Sequence, residues 1–434
     1  MKIYRVGGSV RDELLGREPK DKDYVVVGSS IEEMLLRGFK QVGKDFPVFL
    51  HPETGDEYAL ARKEIKTGDK HTDFEFYFGP DVTLEMDLRR RDFTMNAIAK
   101  DEETGELIDP FHGYQDIQNK IIRHVDETHF IEDPLRVLRG LQFSTRFKME
   151  IHRDTLNLFR RMVKEGMLLH LTEERIWNEI EKALYTTNFY NFITLLQEID
   201  ALEQIFPEVY DLINVPERLE YHPEGNAYDH TILALKEIYK QFDIFGVGMT
   251  LREEQELALT NFGLLCHDLG KAKTNKEEWP AHHEHETLGI PIIKNLCKRL
   301  KVPNEFRDYA ILACKYHMKM YNILNSRTKT IYDFVNDICK FKNYDKLCYM
   351  FTIHECDLMG RKGEIAHKRI ENMHKTIEYL DRIFNIMNGV TLKNLPEDTQ
   401  KNLSRFKGVQ FGKLYRDAMI SYLKHSLYMG KLNT

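Results

Sequence analysis

What this 434-residue chain lacks already closes several routes to a function. It has no Gly-x-x-x-x-Gly-Lys-Ser/Thr and no Gly-x-Gly-x-x-Gly, so neither a P-loop nor the dinucleotide fingerprint carries its chemistry. It has no long charge-free apolar span and no N-terminal apolar segment, which speaks against membrane insertion and export and gives a cytoplasmic expectation. It lacks an overall positive charge: the net is -7, so a polyanionic partner would need a local basic surface rather than a basic coat. Its six cysteines all lie in the second half and form no Cys-x-x-Cys, so reduced, structural thiols are expected. Neither an internal repeat nor a low-complexity segment stands out.

What is there suffices for sizeable cores: 42% of residues are hydrophobic, and the length suggests two to four domains. Residues 1 to about 125 read as α/β, with strand candidates at Ile3–Val6, Tyr24–Val27, Pro47–Leu50 and Glu57–Arg62 and a helix candidate at Ile31–Arg37. The first of these runs into Gly7-Gly8 and a helix start at Ser9, with Arg11 in its first turns. Glycines let backbone approach a phosphate, a helix N-terminus offers N–H groups there, and Arg11 adds a forked cationic donor. Asp21 and Asp23 flank Lys22 just before Tyr24. If they begin that strand, its two-residue period points both carboxylates to one side, and paired hard oxygens suit Mg²⁺. Together these read as a triphosphate and metal site for phosphoryl or nucleotidyl transfer. Lys63 to Pro80 is read either as a mobile loop or as a variable surface hairpin.

Helices are expected from Ile121 onward. Asp133 and Pro134 suit the N-cap and first helical position of a helix in which 133, 136, 139 and 142 step by three along a polar side, and Leu135, Leu138 and Leu141 along an apolar one. A carboxylate and a guanidinium three residues apart could read a base. Cytosine and adenine each present an amino donor beside a ring-nitrogen acceptor. Asp133 can accept from the first and Arg136 donate to the second, whereas uracil and guanine show the opposite order.

The order of these motifs resembles the polymerase-beta-like nucleotidyltransferases, in the form found in bacterial tRNA nucleotidyltransferases (CCA-adding enzymes) and poly(A) polymerases. The supporting stretches are Ile3–Val27, Arg90-Arg91-Asp92-Phe93-Thr94-Met95-Asn96-Ala97, Leu107–Gly113, and Glu132-Asp133-Pro134-Leu135-Arg136-Val137-Leu138-Arg139. The resemblance implies that Gly8, Arg11, Arg91, Asp133, Arg136, Arg139 and Gln142 bind nucleotide, that Asp92 and Asn96 hold the fold around it, and that Asp133 to Arg139 select the base. It implies catalysis by Asp21 and Asp23 with Mg²⁺. It further implies tRNA, CTP and ATP as partners, and a flexible loop at Lys63–Pro80 used in changing from C to A addition. The family carries a third arginine where this chain has Gln142, which leaves room for an enzyme adding only C or only A. Thr172 to Glu179 resembles the neck motif, with Arg175 within reach of Glu179.

A second constellation occupies residues of about 226 to 340. His230, the pair His267-Asp268 after an apolar run, His283, His285, His317 and finally Asp357 mix imidazole nitrogen with carboxylate oxygen, a set suited to Mg²⁺ or a transition metal. The pattern resembles the HD phosphohydrolases. It implies His230, His267, Asp268 and Asp357 as ligands of Ni²⁺ or another divalent ion, His283, His285 and His317 as phosphate contacts, and phosphatase or 2′,3′-cyclic phosphodiesterase activity. The expected class is α+β: a head at 1–125, a helical neck at 126–225, an HD domain at 226–360 and a helical tail at 361–434, in a monomer or homodimer. The rival readings are a C-only or A-only terminal transferase, a poly(A) polymerase, and a regulator with dead sites.

Overall fold

The structure, a computed structural model, describes residues 1–19, 21–42, 48–66, 74–242, 249–339, 343–361, 364–390, 393, 395–404 and 408–432. It divides into two compact units, Met1–Ala183 with Asn191–Gln204, and Leu184–Tyr190 with Ile205–Thr434. The architecture is α+β: a mixed-sheet head followed by helices.

In the first unit the chain runs β1 (Lys2–Val6), α1 (Gly8–Leu14), β2 (Asp23–Val27), α2 (Ile31–Leu36), β3 (Lys40–Val42), β4 (Val48–Leu50) and β5 (Glu57–Leu60). A separate antiparallel pair, β6 (Lys63–Lys66) and β7 (Phe74–Tyr77), precedes α3 (Leu84–Arg89), β8 (Ala99–Asp101) and β9 (Leu107–Ile108). Seven strands form one sheet in the order β3-β4-β5-β2-β1-β8-β9, parallel only between β2 and β5. Alternation along β2 sends Val25 into a core with Tyr4, Val6, Leu88 and Ala97 on one face, and Val26 into a core with Met34, Phe49 and Leu60 on the other. Asp23 shares the parity of Val25 and so projects on the Leu88 and Ala97 side.

One strand expectation needs correction. β2 begins at Asp23, and Asp21 sits in an exposed bend before it, so the two-residue period governs only one of the paired carboxylates. The segment Lys63–Pro80 contains the β6–β7 hairpin; its residues 67–73 lie outside those described.

The helical part of this unit follows with α4 (Gly113–Gln118), β10 (Ile121–Ile122), α5 (Glu127–Phe130), α6 (Leu135–Phe147), β11 (Glu150–Ile151), α7 (Arg153–Lys164), α8 (Glu173–Leu184), α9 (Phe189–Glu198) and α10 (Leu202–Ile205). Helix α6 starts as expected: the Asp133 carboxylate accepts from the Leu135 N–H at 3.1 Å, and Pro134 has helical backbone angles. Val137, Leu138 and Leu141 are fully buried, which leaves the opposite side of α6 to the polar residues.

The second unit is helical: α11 (Pro207–Tyr210), α12 (Ala227–Phe242), α13 (Leu251–Cys266), α14 (His285–Arg299), α15 (Asn304–Met320), α16 (Thr328–Ile338), α17 (Asp345–Met359), α18 (Glu364–Gly389), α19 (Glu397–Ser404) and α20 (Gly408–Leu432). Helix α13 opens on a Thr250–Glu253 capping box, is buried throughout from Leu257 to Cys266, and is the centre on which α12, α15 and α17 pack. The six cysteines are free, and five are buried. Among the described residues no helix is long and apolar enough to cross a membrane.

Candidate functional site

In the first unit, Val6 at the end of β1 pairs with Asp23 at the start of β2, so the Gly7-Gly8 turn lies beside that carboxylate. Gly7 has φ of 71°, and a Cβ there would stand 2.9 Å from Nη1 of Arg91, so both the backbone angle and the close approach call for glycine. The turn, the segment after α3, the polar side of α6 and one side of α8 enclose a cleft of about 560 Å³. That volume suits a nucleoside triphosphate. The cleft is lined by Gly8, Arg11, Asp23, Arg91, Asp133, Arg136, Arg139 and Gln142, so every residue implied to bind nucleotide faces the same space. Asp21 is not among the lining residues. Eight cationic side chains against four carboxylates give the cleft a positive balance that the acidic chain lacks as a whole.

A hydrogen-bonded chain crosses the floor. Arg11 Nη1 donates to Asn96 Oδ1 at 2.8 Å, Asn96 Nδ2 donates to Asp92 Oδ1 at 2.8 Å, and Arg139 Nε donates to Asp92 Oδ2 at 2.8 Å. This locks α1, the Asp92–Asn96 turn and α6 together. Burial drives the Asp92 pKa upward, but Arg139 and the Asn96 amide outweigh it and hold the carboxyl below its usual range. Burial likewise opposes ionisation of Asp87, yet Arg91 and Arg90 keep it ionised. Asp87 thereby orients Arg91, whose Nε is buried without a partner. At Asp23 the balance runs the other way. Desolvation by the surrounding protein raises its pKa, Arg91 opposes this, and the nearby Asp21 charge adds to it, although the side chain is open to solvent at the cleft.

The base-reading pair is engaged elsewhere in this structure. Arg136 donates from Nη1 to the His129 carbonyl at 2.7 Å and from Nη2 to the Arg90 carbonyl at 2.8 Å. Asp133 receives Arg175 at 2.9 Å. The neck arginine therefore reaches Asp133 rather than Glu179, which pairs with Lys182 at 2.8 Å. Gln142 is 1% exposed with its Nε2 unpartnered at the cleft wall. Sequence reasoning missed Asp87, Arg146 and Lys182. Of these only Arg146 had a sequence signal, its place four residues after Gln142 on the same helix.

In the second unit five elements each contribute to a buried cluster. His230 comes from α12, His267 and Asp268 from the end of α13, His285 from the start of α14, His317 from α15 and Asp357 from α17; each is 5% exposed or less. Gly270 permits the assembly, because a Cβ there would lie 1.9 Å from the His285 carbonyl oxygen. His230 Nε2 stands 3.0 Å from Asp357 Oδ1 and 3.9 Å from Asp268 Oδ2, and His267 Nε2 stands 3.1 Å from Asp268 Oδ2. His230, His267 and Asp357 form one group that could hold a metal ion; Asp268, His285 and His317 form another. His283 is in neither group.

Around the cluster, Glu224 accepts from His230 Nδ1 at 3.0 Å and fixes that ring. Lys271 bridges Asp268 at 2.7 Å and Glu217 at 2.5 Å, while Arg361 and Tyr321 both donate to Asp357 at 3.0 Å. Burial works against the charge on Asp268 and Asp357, but His267 with Lys271, and Arg361 with His230, hold both well below the carboxylate range. Of these supporting residues only Lys271 had a sequence signal, its place three residues after Asp268.

Three stretches match known protein families: residues 3–123 the "Poly A polymerase head domain", 148–212 the "Probable RNA and SrmB- binding site of polymerase A", and 227–345 the "HD domain". Among solved structures the fold is similar to a CCA-adding enzyme in complex with ATP, at 21% identity and a TM-score of 0.61 over 97% of this chain and 85% of that one. It is also similar to a CCA-adding enzyme with CTP, at 22% identity and 0.60 over 97% and 85%. The Thermotoga maritima CCA-adding enzyme with tRNA aligns at 22% identity and 0.58 over 98% and 91%. The resemblance read from the motifs is thus borne out, with the three domains in order on the fold of these enzymes.

Proposed function

We propose that this chain, with a poly A polymerase head, a polymerase A RNA-binding segment and an HD domain on a CCA-adding fold, adds the terminal CCA to tRNA without a nucleic-acid template. CTP and ATP are the donors and diphosphate is released. The observation that carries this reading is the convergence of Gly8, Arg11, Asp23, Arg91 and the 133, 136, 139 and 142 side of α6 on one cation-rich cleft.

Asp23 and Asp21 are the residues that would hold Mg²⁺. The raised pKa of Asp23 fits them for it, since a cation offsets both the desolvation and the neighbouring charge. Mg²⁺ there supplies activation of the tRNA 3′-hydroxyl and charge neutralisation on the triphosphate. The 3′-oxygen attacks the α-phosphorus, and the bond to the departing diphosphate breaks. Arg11 and Arg91 face the phosphates as forked donors, positioned by Asn96 and Asp87. Asp133 accepts from the amino group of C or A when Arg175 yields it. Arg136 spends two of its five N–H donors on backbone carbonyls and retains others for the ring nitrogen.

In the HD domain His230, His267, Asp268 and Asp357 would hold a divalent ion, with Ni²⁺ and Mg²⁺ as candidates. Four inward-facing, fully buried ligands fit that role. The activity proposed for this site is hydrolysis of phosphomonoesters and 2′,3′-cyclic phosphodiesters. The protein acts in the cytoplasm as a monomer or homodimer.

Gln142 favours one alternative, a C-only or A-only terminal transferase, because an amide stands where the related pattern has a third arginine. One experiment separates the readings: tRNA lacking CCA and tRNA ending in CC are each supplied with CTP and ATP singly and together, and the products are sequenced. Complete CCA with both nucleotides supports the main proposal, and arrest after one kind of base supports the alternative. No extension under any condition would sink both.

A further inference from the structure

The C-terminal half of α6 carries more positive charge than its protein partners balance. Two rings of this helix, Phe143 and Phe147, stack with centroids 5.7 Å apart and planes 15° from parallel. The Arg11 guanidinium stands 5.2 Å from the Phe143 centroid and 4.8 Å from that of Phe147. Arg17 and Arg146 stand 5.0 Å and 5.2 Å from the same Phe147 ring. The aromatic faces attract each cation, but three guanidiniums around one ring repel one another. Arg11 is paired, with Asp12 at 2.7 Å and Asn96 at 2.8 Å. Arg17 and Arg146 have no hydrogen bond or ion pair among the described residues. Burial first, then Arg11 and Arg17, push the Arg146 pKa below its ordinary value against the pull of Asp12. A guanidinium still keeps its charge at neutral pH, so an anion is the partner that relieves the cluster.

Arg146 is half-buried and lines the nucleotide-sized cleft. It follows Gln142 by four residues, one turn along the same side of α6. A helical side chain leans toward the N-terminus and covers the turn before its own Cα. A long side chain at 146 therefore covers the wall beside 142, where an unpartnered amide brings no charge. Ten residues, about 15 Å of helix, separate Arg136 from Arg146. One nucleotide can thus be read at its base by the first and held at its phosphates near the second.

We propose that Arg146 supplies the phosphate contact missing at Gln142: together with Arg11 it binds the phosphate tail of the incoming nucleoside triphosphate and the diphosphate that leaves. The inference rests on the nucleotide reading of the cleft and specifies which end of the ligand meets the C-terminal half of α6. The forked N–H donors of Arg146 suit two phosphate oxygens at once. Arg17 does not line the cleft and adds only to the field there.

The test compares the full chain with its Arg146→Gln variant. Binding of CTP and of CMP is measured by calorimetry without tRNA, and addition kinetics are measured on tRNA lacking CCA. Arg146→Gln should weaken CTP binding and raise the CTP and ATP KM by roughly 10- to 100-fold, the loss of one charge-assisted contact. CMP binding, the tRNA KM and kcat should each stay within a few-fold. Gln142→Arg added to Arg146→Gln should recover most of the lost affinity, a gain larger than the same substitution gives the parent. A structural arginine would instead lower the melting temperature with no such rescue, and Arg146→Lys gives a second reading if Arg146→Gln does not fold. Equal CTP binding by parent and variant overturns the inference and leaves the cleft reading standing. So does a loss confined to the tRNA KM, which would assign Arg146 to the RNA backbone. A parent that binds no CTP overturns both.

Discussion

The cleft and the histidine cluster solve opposite problems with the same kinds of side chain. In the cleft nearly every charge already has a protein partner: Arg139 pairs with Asp92, Arg91 with Asp87 and Asp133 with Arg175. The space itself remains open to a ligand the size of a nucleotide. In the HD cluster the ligands are sealed from solvent, and Nε2 of His267 and Oδ1 of Asp268 have no hydrogen-bond partner. Exchangeable ion pairs suit a site that must take and release a substrate repeatedly. Unsatisfied buried lone pairs suit a resident cation, because only a permanent charge offsets their desolvation.

The sharpest way to break this comparison is to remove one site and watch the other. Asp23→Asn should lower nucleotide addition by about 10³-fold or more, as expected when several kcal/mol of metal-based stabilisation is lost, and leave HD metal content unchanged. Normal addition by this variant would refute the assignment of the head carboxylate. The reciprocal substitutions, His267→Ala and Asp268→Ala, should abolish 2′,3′-cyclic phosphodiester hydrolysis while CCA addition persists. A parallel loss of both activities in correctly folded protein would show that the two sites do not act independently.

A smaller effect is expected at the base-reading pair. Asp133→Ala should reduce discrimination against U and G by about 1–3 kcal/mol, or roughly 5- to 150-fold, read from kcat/KM with all four nucleotides. Arg136→Ala should do the same and also destabilise the fold, because its guanidinium holds the His129 and Arg90 carbonyls. Unchanged selectivity in both would leave the polar side of α6 as a structural face.

The ion pair in the cleft floor should show in the pH dependence of stability. Asp92 has a folded pKa below its unfolded value, so its contribution is present above about pH 4 and is lost as pH falls through the folded pKa. Asp92→Asn should cost about 1–3 kcal/mol near neutrality, and the gap from the parent should close as pH falls below about 4 in thermal melts. A gap constant down to pH 3 would contradict the depressed pKa. The smallest expected change is at Gln142. Gln142→Arg should lower KM a few-fold for at least one nucleotide, if its amide stands where a longer cation would reach phosphate. An unchanged KM with intact stability would show that this wall does not meet the triphosphate.

Much of this molecule was readable along the chain. The Gly7-Gly8 turn, the Asp92–Asn96 segment and the 133, 136, 139 and 142 side of α6 are local patterns: strand period, helix period and turn chemistry set where such residues point. The three domains follow the order of those patterns. The strand argument for Asp21 failed because the chain bends before β2 begins, and strand period has no hold on a bend.

The tertiary structure decided the pairings. Arg175 lies 42 positions from Asp133, and Arg139 lies 47 from Asp92, so no spacing rule could have joined them. His285 and His317 read as phosphate contacts in sequence, since a lone histidine gives no sign of which ring nitrogen faces inward. That orientation depends on which backbone carbonyl each Nδ1 meets, and on the close contact of Gly270 with the first turn of α14. Local periodicity thus determined which residues share a face. Burial and long-range packing determined which lone pairs were left for a ligand to satisfy.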